Sequence, residues 1–394
     1  MIRNLVVCLD GTENRFGTHN TNVVRVYQTL DLDPSRQLGY YDPGVGTIWE
    51  RGTLSRVSKK IQMLLGLAFG LGVTANVAEA YSFLMQHYQP GDRILIFGFS
   101  RGALEARALA GLIHRCGLLE PHLTALEPYA MEMFQSPGDT DVLTAFRKTF
   151  SRTADVDFLG LWDTVTSMGN VWAPTYWPYT TRNPCVRRVA HAIAIDERRA
   201  FFRQNRWAPL ENQDVSQVWF AGVHSDVGGG YDPATGRLWA ITLRWLMGHA
   251  RLAGLSVDEG RWQHALAEGS GGIDAESDHA TEQHNSLTGV WKILEAVPKT
   301  HKRMNPDGTF ASSRVMIPVL EAGFRGRPRT LLPGEHVHRS ALERFVARSD
   351  YRPETLIAAG LTLEVAQAFL ATSDELWTVP RTRTSRPVES VARS

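Results

Sequence analysis

Apolar residues are concentrated in short, dense runs along the first 250 residues of the chain. Most of these runs are apolar at nearly every position, which is typical of strands buried on both faces of a parallel sheet. In strands with one solvent-exposed face, apolar and polar residues alternate instead. The pattern predicts strands at residues 5–10, 38–47, 93–99, 156–163, 186–195 and 218–224.

Segments with the spacing of helices lie between these strands. They predict helices at residues 22–30, 74–88, 103–116 and 238–252, and helical periodicity returns over residues 339–371. Strands that alternate with helices are joined by right-handed crossovers in an open sheet. The sequence therefore predicts an α/β fold with a mainly parallel sheet flanked by helices.

The pattern weakens between residues 253 and 335, where residues 269–285 are rich in Gly, Ser, Asp, Glu and His. A length of 394 residues suits either one large α/β domain or two ordinary ones. We expect a single domain over residues 1–375, with a helical or loop insertion, a lid, at about 240–335. The tail over residues 376–394 ends in an Arg-, Ser- and Thr-rich stretch, so we expect it to be disordered.

Charge and cysteine content exclude several classes of protein. The 42 basic and 41 acidic residues give a net charge of +1, so no global attraction to nucleic acid or anionic membranes is expected. The cysteines at 8, 116 and 185 form neither a disulfide framework nor a zinc motif, which favours a reducing compartment at synthesis.

Two apolar segments are too short to direct the chain into a membrane. The run before Asp10 has only five residues, fewer than a signal peptide requires. Residues 63–73 are interrupted by glycines and fall short of the ~20 residues that span a bilayer. We expect a soluble protein made in the cytoplasm, with neither a signal peptide nor a transmembrane helix.

The pentapeptide Gly98-Phe99-Ser100-Arg101-Gly102 lies where a predicted strand meets a predicted helix. In this context a G-x-S-x-G elbow raises a serine hydroxyl above the carboxyl edge of the sheet. The glycines Gly98 and Gly102 are needed because the turn is strained and crowded. The motif predicts Ser100 as a nucleophile; the alternative is an ordinary Gly/Ser turn.

A nucleophilic serine requires a base, and the base requires an orienting acid. Asp163 and His224 each end an apolar strand downstream of Ser100, in the chain order of α/β-hydrolases. These three residues are the predicted catalytic set. His338 is an alternative base. The alternative acids are Asp226, Asp196 and Glu197. Asp226 is so near His224 in sequence that shaping the turn is its more natural role.

The reaction also requires two backbone N–H donors for the developing oxyanion. One is expected from Arg101, the residue after the nucleophile. The other is expected from Gly11 and Thr12, with residues 44–47 as the alternative, and Asp10 could hold that loop. No P-loop is present, and no metal or cofactor is expected; a cation site at His224, Asp226 and Asp232 is the less favoured alternative.

Several motifs together resemble one α/β-hydrolase family of uncharacterised bacterial and fungal proteins, which includes the type VI secretion lipase effectors with phospholipase activity. The matching stretches cover residues 4–235 well and 335–360 loosely: VVCLDGTENRFG, TNVVRVY, YYDPGVGT, FGFSRGALEARALAG, FLGLWDTVTSMG, VAHAIAIDERR, WFAGVHSDVGGGY, HVHRSALERF and YRPETL. The resemblance implies that Ser100 is the nucleophile, Asp163 the acid and His224 the base.

The resulting hypothesis is a serine hydrolase that cleaves carboxylic esters, phospholipid acyl esters among them, through an acyl-enzyme. A catalytically silent interaction module and an acyltransferase with the same triad are the alternatives. The resemblance also implies an ester or lipid substrate and peripheral membrane contact. It further implies export by a specialised secretion system and a secretion-system or immunity partner. No nucleic-acid partner is expected.

Overall fold

Eight strands form one sheet in the computed structural model, which describes residues 2–11, 17, 19–44, 69–136, 140–165, 169–170, 173–174, 177–272, 274–296, 299–301, 314–317, 320 and 323–381. The strands of this sheet are β1 Asn4–Leu9, β2 Gln37–Asp42, β3 Arg93–Phe99, β4 Phe158–Trp162, β5 Arg188–Ala194, β6 Asp214–Phe220, β7 His336–His338 and β8 Leu376–Thr378. Their order is β8-β7-β6-β5-β4-β3-β1-β2. All neighbours are parallel except β8, which is antiparallel to β7.

Helices cover both faces of this sheet, so the predicted α/β class is confirmed. The α-helices of the described residues are α1 Asn22–Thr29, α2 Phe69–His87, α3 Arg101–Cys116, α4 Glu127–Gln135, α5 Thr140–Phe150, α6 His224–Gly228, α7 Leu238–Leu252, α8 Glu259–Ala267, α9 Val290–Leu294, α10 Arg339–Ala347, α11 Glu354–Ala358 and α12 Leu363–Leu370. Short 3₁₀ turns lie at Thr124–Leu126, Ala275–Ala280 and Gly323–Arg325. Two-residue and three-residue strands pair outside the main sheet: Leu118–Leu119 with Ser151–Arg152, Gly169–Asn170 with Ala173–Pro174, and Lys299–His301 with Arg314–Met316.

The dense apolar runs are explained by burial on both faces. In β1, Leu5, Val7 and Leu9 pack into a core formed with α2 and α3, whereas Val6 and Cys8 pack into a second core formed with α1 and α7. All five side chains are fully buried. A strand between two helical layers has no wet face, and its sequence therefore does not alternate.

The strand order reverses between β1 and β3. The chain passes from β1 outward to β2 and then returns to the other side of β1 to form β3. Such a switch point opens a crevice at the carboxyl ends of the strands, because the connecting helices leave in opposite directions. The turn after β3, which carries Ser100, lies at this crevice.

Helix α7, most of which lies inside the range predicted as a lid or insertion, packs into the core. Leu243 and Leu246 of α7 are fully buried against the sheet. Asp278, in the region predicted as a loop, forms ion pairs with Arg237 at 2.7 Å and Arg244 at 2.6 Å. An insertion over the remainder of this region stays a prediction.

The first residues of the predicted tail form a strand. Leu376–Thr378 forms β8, and the buried Trp377 joins a third apolar cluster with residues of β7 and α10. Residues 382–394 of the tail lie outside the described residues. No helix in the described ranges is long and apolar enough to cross a membrane.

The position of α7 can be tested by comparing its two faces. Leu243→Ala is expected to lower the free energy of unfolding by ~2–5 kcal/mol, because it leaves a cavity in the core. Leu252→Ala is the control on the same helix, since Leu252 is 78% exposed, and is expected to change it by less than ~0.5 kcal/mol. Urea unfolding measures both. Equal, small effects would show that α7 does not form part of the core.

Candidate active site

Ser100 lies in a strained turn between β3 and α3. Its φ of 59° and ψ of −118° fall in a region that residues with a side chain rarely occupy, and its N–H donates to Trp162 O at 3.1 Å. Glycines on both sides permit this turn. A Cβ on Gly98 would lie 2.4 Å from Gly102 O, and a Cβ on Gly102 would lie 2.1 Å from Leu9 O.

Asp163 and His224 meet at the same edge of the sheet. Asp163 follows β4 with a φ of 38°, and its N–H donates to Ala192 O at 2.8 Å. His224 is the first residue of α6, and its Nδ1 lies 2.6 Å from Asp163 Oδ2. Both side chains are buried. Two of the three predicted catalytic residues therefore form one hydrogen-bonded pair.

The other ring nitrogen of His224 is available to accept a proton. His224 Nε2 is buried and has no hydrogen-bond partner within the described part of the chain, so it is not hydrogen-bonded to Ser100. When Nδ1–H donates to a carboxylate, Nε2 carries the lone pair of a neutral imidazole. The bond between nucleophile and base often forms only when substrate is bound.

The alternative base and one alternative acid have other partners. His338 caps α10, where its Nδ1 accepts the Ser340 N–H at 3.2 Å. Asp226 accepts the Val223 N–H at 3.0 Å and lies 2.6 Å from His284 Nδ1. Asp226 thus fixes the turn in which α6 begins, and neither residue contacts the Asp163–His224 bond.

The remaining alternative acids also contact other groups. Asp196 accepts the Gly222 N–H at 2.7 Å. Glu197 forms an ion pair with Arg199 at 2.8 Å and accepts the backbone N–H of His224 at 3.2 Å. Of the four carboxylates considered from the sequence, Asp163 alone is hydrogen-bonded to the imidazole ring.

A second partner of Asp163 was missed by the sequence analysis. Both terminal nitrogens of the Arg329 guanidinium donate to Asp163, at 2.5 Å to Oδ1 and 3.0 Å to Oδ2. The same group donates to Ala194 O at 2.8 Å and Phe202 O at 2.5 Å, and the Arg329 side chain is fully buried. Arg329 lies in a stretch without helical or strand periodicity, so no local pattern marks it.

Burial and nearby charges shift the pKa values of Asp163 and His224 in opposite directions. Burial opposes ionisation of Asp163, but the Arg329 charge and the hydrogen bonds from His224 and Arg329 hold the pKa of Asp163 well below its usual range. Burial lowers the pKa of His224, and the nearby Asp163 carboxylate only partly offsets this effect. The two shifts favour an ionised acid beside a neutral imidazole.

Aromatic side chains surround the His224 ring. The ring centroids of Phe99 and Phe202 lie 4.6 and 4.7 Å from that of His224. Trp291 of α9 packs edge-on against Phe202 at 5.1 Å, and the Arg199 guanidinium lies 3.6 Å above the centre of the Phe202 ring. We refer to Phe202 and Trp291 as the aromatic wall, which makes one side of the imidazole apolar.

The predicted oxyanion donors are only partly arranged for that role. Arg101 is the first residue of α3, and the backbone N–H groups of the first helical turn point out of the end of the helix. The Gly11 N–H donates instead to Asp10 Oδ1 at 2.7 Å, and the Gly44 N–H donates to Asp42 Oδ1 at 2.6 Å. Thr12 and residues 45–47 lie outside the described residues.

Asp10 holds the end of β1. Its Oδ2 accepts hydrogen bonds from the Thr21 hydroxyl at 2.6 Å and the Tyr41 hydroxyl at 3.0 Å. The residues of the alternative cation site have other surroundings: His224 is hydrogen-bonded to Asp163, Asp226 is hydrogen-bonded to His284, and Asp232 is exposed.

Comparison with known proteins assigns the chain to a family. The family model described as "T6SS, Phospholipase effector Tle1-like, catalytic domain" matches residues 3–249. The chain belongs to this family. The matched range includes Ser100, Asp163 and His224 but ends before Arg329.

One relative is a yeast protein that matches about half of this chain. The uncharacterized protein YEL023C of Saccharomyces cerevisiae is 36% identical over 230 residues, a match that covers 53% of this chain and 33% of the yeast protein. The chain thus spans about a third of the length of this curated relative.

Two solved structures are similar at lower identity. An uncharacterized protein from Pseudomonas aeruginosa is 19% identical with a TM-score of 0.42, over 75% of this chain and 53% of that one. The Tle1 effector bound to the VgrG spike of the type 6 secretion system is 18% identical with a TM-score of 0.37, over 60% of this chain and 52% of that one.

The depressed pKa of Asp163 predicts a pH-dependent contribution to stability. Because the folded-state pKa is below the unfolded value of ~3.9, stabilisation by the ionised group is present above about pH 4 and lost as pH falls towards the folded-state pKa. Asp163→Asn should lower the free energy of unfolding by ~3–5 kcal/mol near pH 7, since it leaves the buried Arg329 charge unpaired. The difference from wild type should shrink below about pH 4.

Urea unfolding between pH 3 and 7 measures this effect. Asp214→Asn is the control, because the Asp214 side chain is 68% exposed; it should change stability by less than ~0.5 kcal/mol at every pH. A difference between wild type and Asp163→Asn that is constant with pH would contradict the prediction.

Proposed function

We propose that this chain is a serine hydrolase that cleaves carboxylic esters, including the acyl esters of phospholipids. The observation that supports this most directly is the 2.6 Å bond between Asp163 and His224, at the sheet edge where the strained Ser100 turn also lies. Membership of the Tle1-like catalytic-domain family supports a lipid ester as substrate.

In the proposed reaction Ser100 Oγ attacks the acyl carbonyl carbon while its proton passes to His224 Nε2. Asp163 holds the Nδ1–H tautomer and stabilises the imidazolium that forms. The tetrahedral intermediate collapses, the bond to the leaving alcohol breaks, and His224 returns the proton to that alcohol. A water molecule, deprotonated by His224, then attacks the acyl-enzyme and releases the carboxylic acid and the free serine.

The Arg101 N–H is the proposed first donor to the oxyanion, because the first turn of a helix directs N–H groups towards anionic oxygen. For the second donor we retain Gly11 and Thr12, with residues 44–47 as the alternative. In the case of Gly11, the N–H would have to exchange its bond to Asp10 Oδ1 for one to the substrate oxygen.

The aromatic wall is proposed to contact the acyl chain. Phe202 and Trp291 are both partly exposed, and Phe202 touches the imidazole that acts on the ester. Apolar contact beside the reacting atoms favours a fatty acyl chain over a polar acyl group. A secretion-system or immunity partner, and export by type VI secretion, form part of the same proposal on the basis of family membership.

Removal of the Ser100 hydroxyl tests the nucleophile. Ser100→Ala should lose covalent labelling by a fluorophosphonate probe and reduce kcat for p-nitrophenyl esters by at least about a thousandfold. Ser136→Ala, at an exposed position after α4, is the control and should label like wild type. Labelling that persists in Ser100→Ala would exclude Ser100, and failure of wild type to label would favour an interaction module.

Shortening the aromatic wall tests the acyl-chain contact. Trp291→Ala should lower kcat/KM for p-nitrophenyl octanoate about tenfold relative to the acetate, since contact with about two methylenes at ~0.8 kcal/mol each is lost. Ile293→Ala on the same short helix is the control, because Ile293 is 69% exposed. An equal fall for both esters would show that Trp291 does not contact the chain.

A further inference from the structure

The Asp163 carboxylate is in direct contact with a cation, the Arg329 guanidinium, as well as with the His224 imidazole. Arg329 forks onto both carboxylate oxygens, and Oδ2 accepts from Arg329 and from His224 Nδ1 at the same time. Backbone donation from Ala194 to Oδ1 at 3.0 Å completes the set. A triad acid acts through its hydrogen bond to the imidazole. Here a fully buried arginine places a positive charge on the same carboxylate.

We infer that Arg329 is a positioning residue for the catalytic pair: its fork fixes the Asp163 carboxyl group, and its charge keeps His224 neutral and able to accept a proton. This inference rests on the proposed hydrolase function. Arg329 lies beyond residues 3–249, the range that the family model matches. The inference therefore assigns part of the reactive site to the region that follows the matched range.

The sign of the effect follows from treating Asp163 and His224 as one proton-binding unit. Arg329 repels the added proton whether that proton resides on the imidazole or on the carboxyl group. Without the Arg329 charge, the pKa of the Asp163–His224 pair therefore rises. Since only the unprotonated pair can activate Ser100, the acid limb of the pH profile must move upward.

Other charged groups also lie near the pair. Glu197 and Arg199, on the segment after β5, form an ion pair at 2.8 Å, and their charges act on the pKa of His224 in opposite directions. His191 of β5 is buried, and burial lowers its pKa to about 3, so it adds no charge near neutral pH. Arg203 lies close enough to Arg329 for the two charges to repel. Arg329 is the cation in hydrogen-bond contact with the Asp163 carboxylate.

Arg329 could act by anchoring its own stretch of chain or through its charge. A neighbouring arginine allows these two effects to be separated. Arg206 donates to Thr330 O at 2.5 Å and pairs with Glu335, with its Nη2 3.1 Å from Glu335 Oε2. It therefore holds the same stretch of chain without contacting Asp163. Arg206→Gln is the matched control, because it loosens this stretch and leaves the Asp163–Arg329 bond in place.

The test is the pH dependence of kcat/KM for a soluble p-nitrophenyl ester. In Arg329→Gln the acid limb should move upward by about one pH unit or more, and the loss of activity relative to wild type should be smaller at alkaline pH than at neutral pH. Arg329→Lys, which retains the charge, and Arg206→Gln should keep the wild-type midpoint. A uniform loss at every pH in Arg329→Gln, or an equal shift in Arg206→Gln, would overturn the inference.

A second readout does not depend on turnover. The ¹⁵N chemical shifts of the His224 ring, assigned with His224→Asn, should report a higher titration midpoint in Arg329→Gln than in wild type. An unchanged midpoint overturns the role of Arg329. If wild type hydrolyses no ester, the proposed function fails, but this measurement still decides the role of Arg329.

Stability provides the test if Arg329→Gln does not fold. Asp163→Asn/Arg329→Gln should then unfold at higher urea concentration than Asp163→Asn, because the second change removes the unpaired cation. A double variant that is no more stable than the single variant would show that the charge of Arg329 is not coupled to Asp163, and would overturn the inference.

Discussion

The buried charge of Asp163 is the constraint on which the arrangement of the site depends. A carboxylate removed from water is tolerated only when paired and hydrogen-bonded. Its partners come from three separate parts of the chain: the Ala194 N–H at the end of β5, the His224 imidazole in α6 and the Arg329 guanidinium. The side chains of the site therefore assemble only when these elements are all in place.

Close packing at the switch point imposes a second constraint. Gly102 lies so near the end of β1 that a Cβ would be 2.1 Å from Leu9 O. The first turn of α3 is thereby pressed against β1, which maintains Ser100 in a conformation that an isolated turn would not keep. Asp10, tied to Thr21 and Tyr41, fixes the strand end against which this turn packs.

These constraints explain which features could be predicted from the sequence. Burial on both faces leaves continuous apolar runs, so the strands and the α/β class follow from local pattern. Parallel strands place their carboxyl ends together, so Asp163 and His224 could be expected at one edge. An ion pair such as Asp163–Arg329 leaves no periodic trace because its members are far apart in sequence. The three-residue β8 is likewise too short to show a period.

The same contacts determine how the region beyond residue 249 is to be understood. A detachable lid would leave the sheet and the site complete when it moved. Here β7 pairs with β6, and the buried Trp219 of β6 packs with Val337 and Phe345. Removal of this region would expose that cluster and would also leave Asp163 without its guanidinium partner. Because of these two contacts, the region belongs to the folded body that holds the candidate site. We therefore expect any moving lid to be confined to segments that contribute neither a strand of the main sheet nor a contact to Asp163.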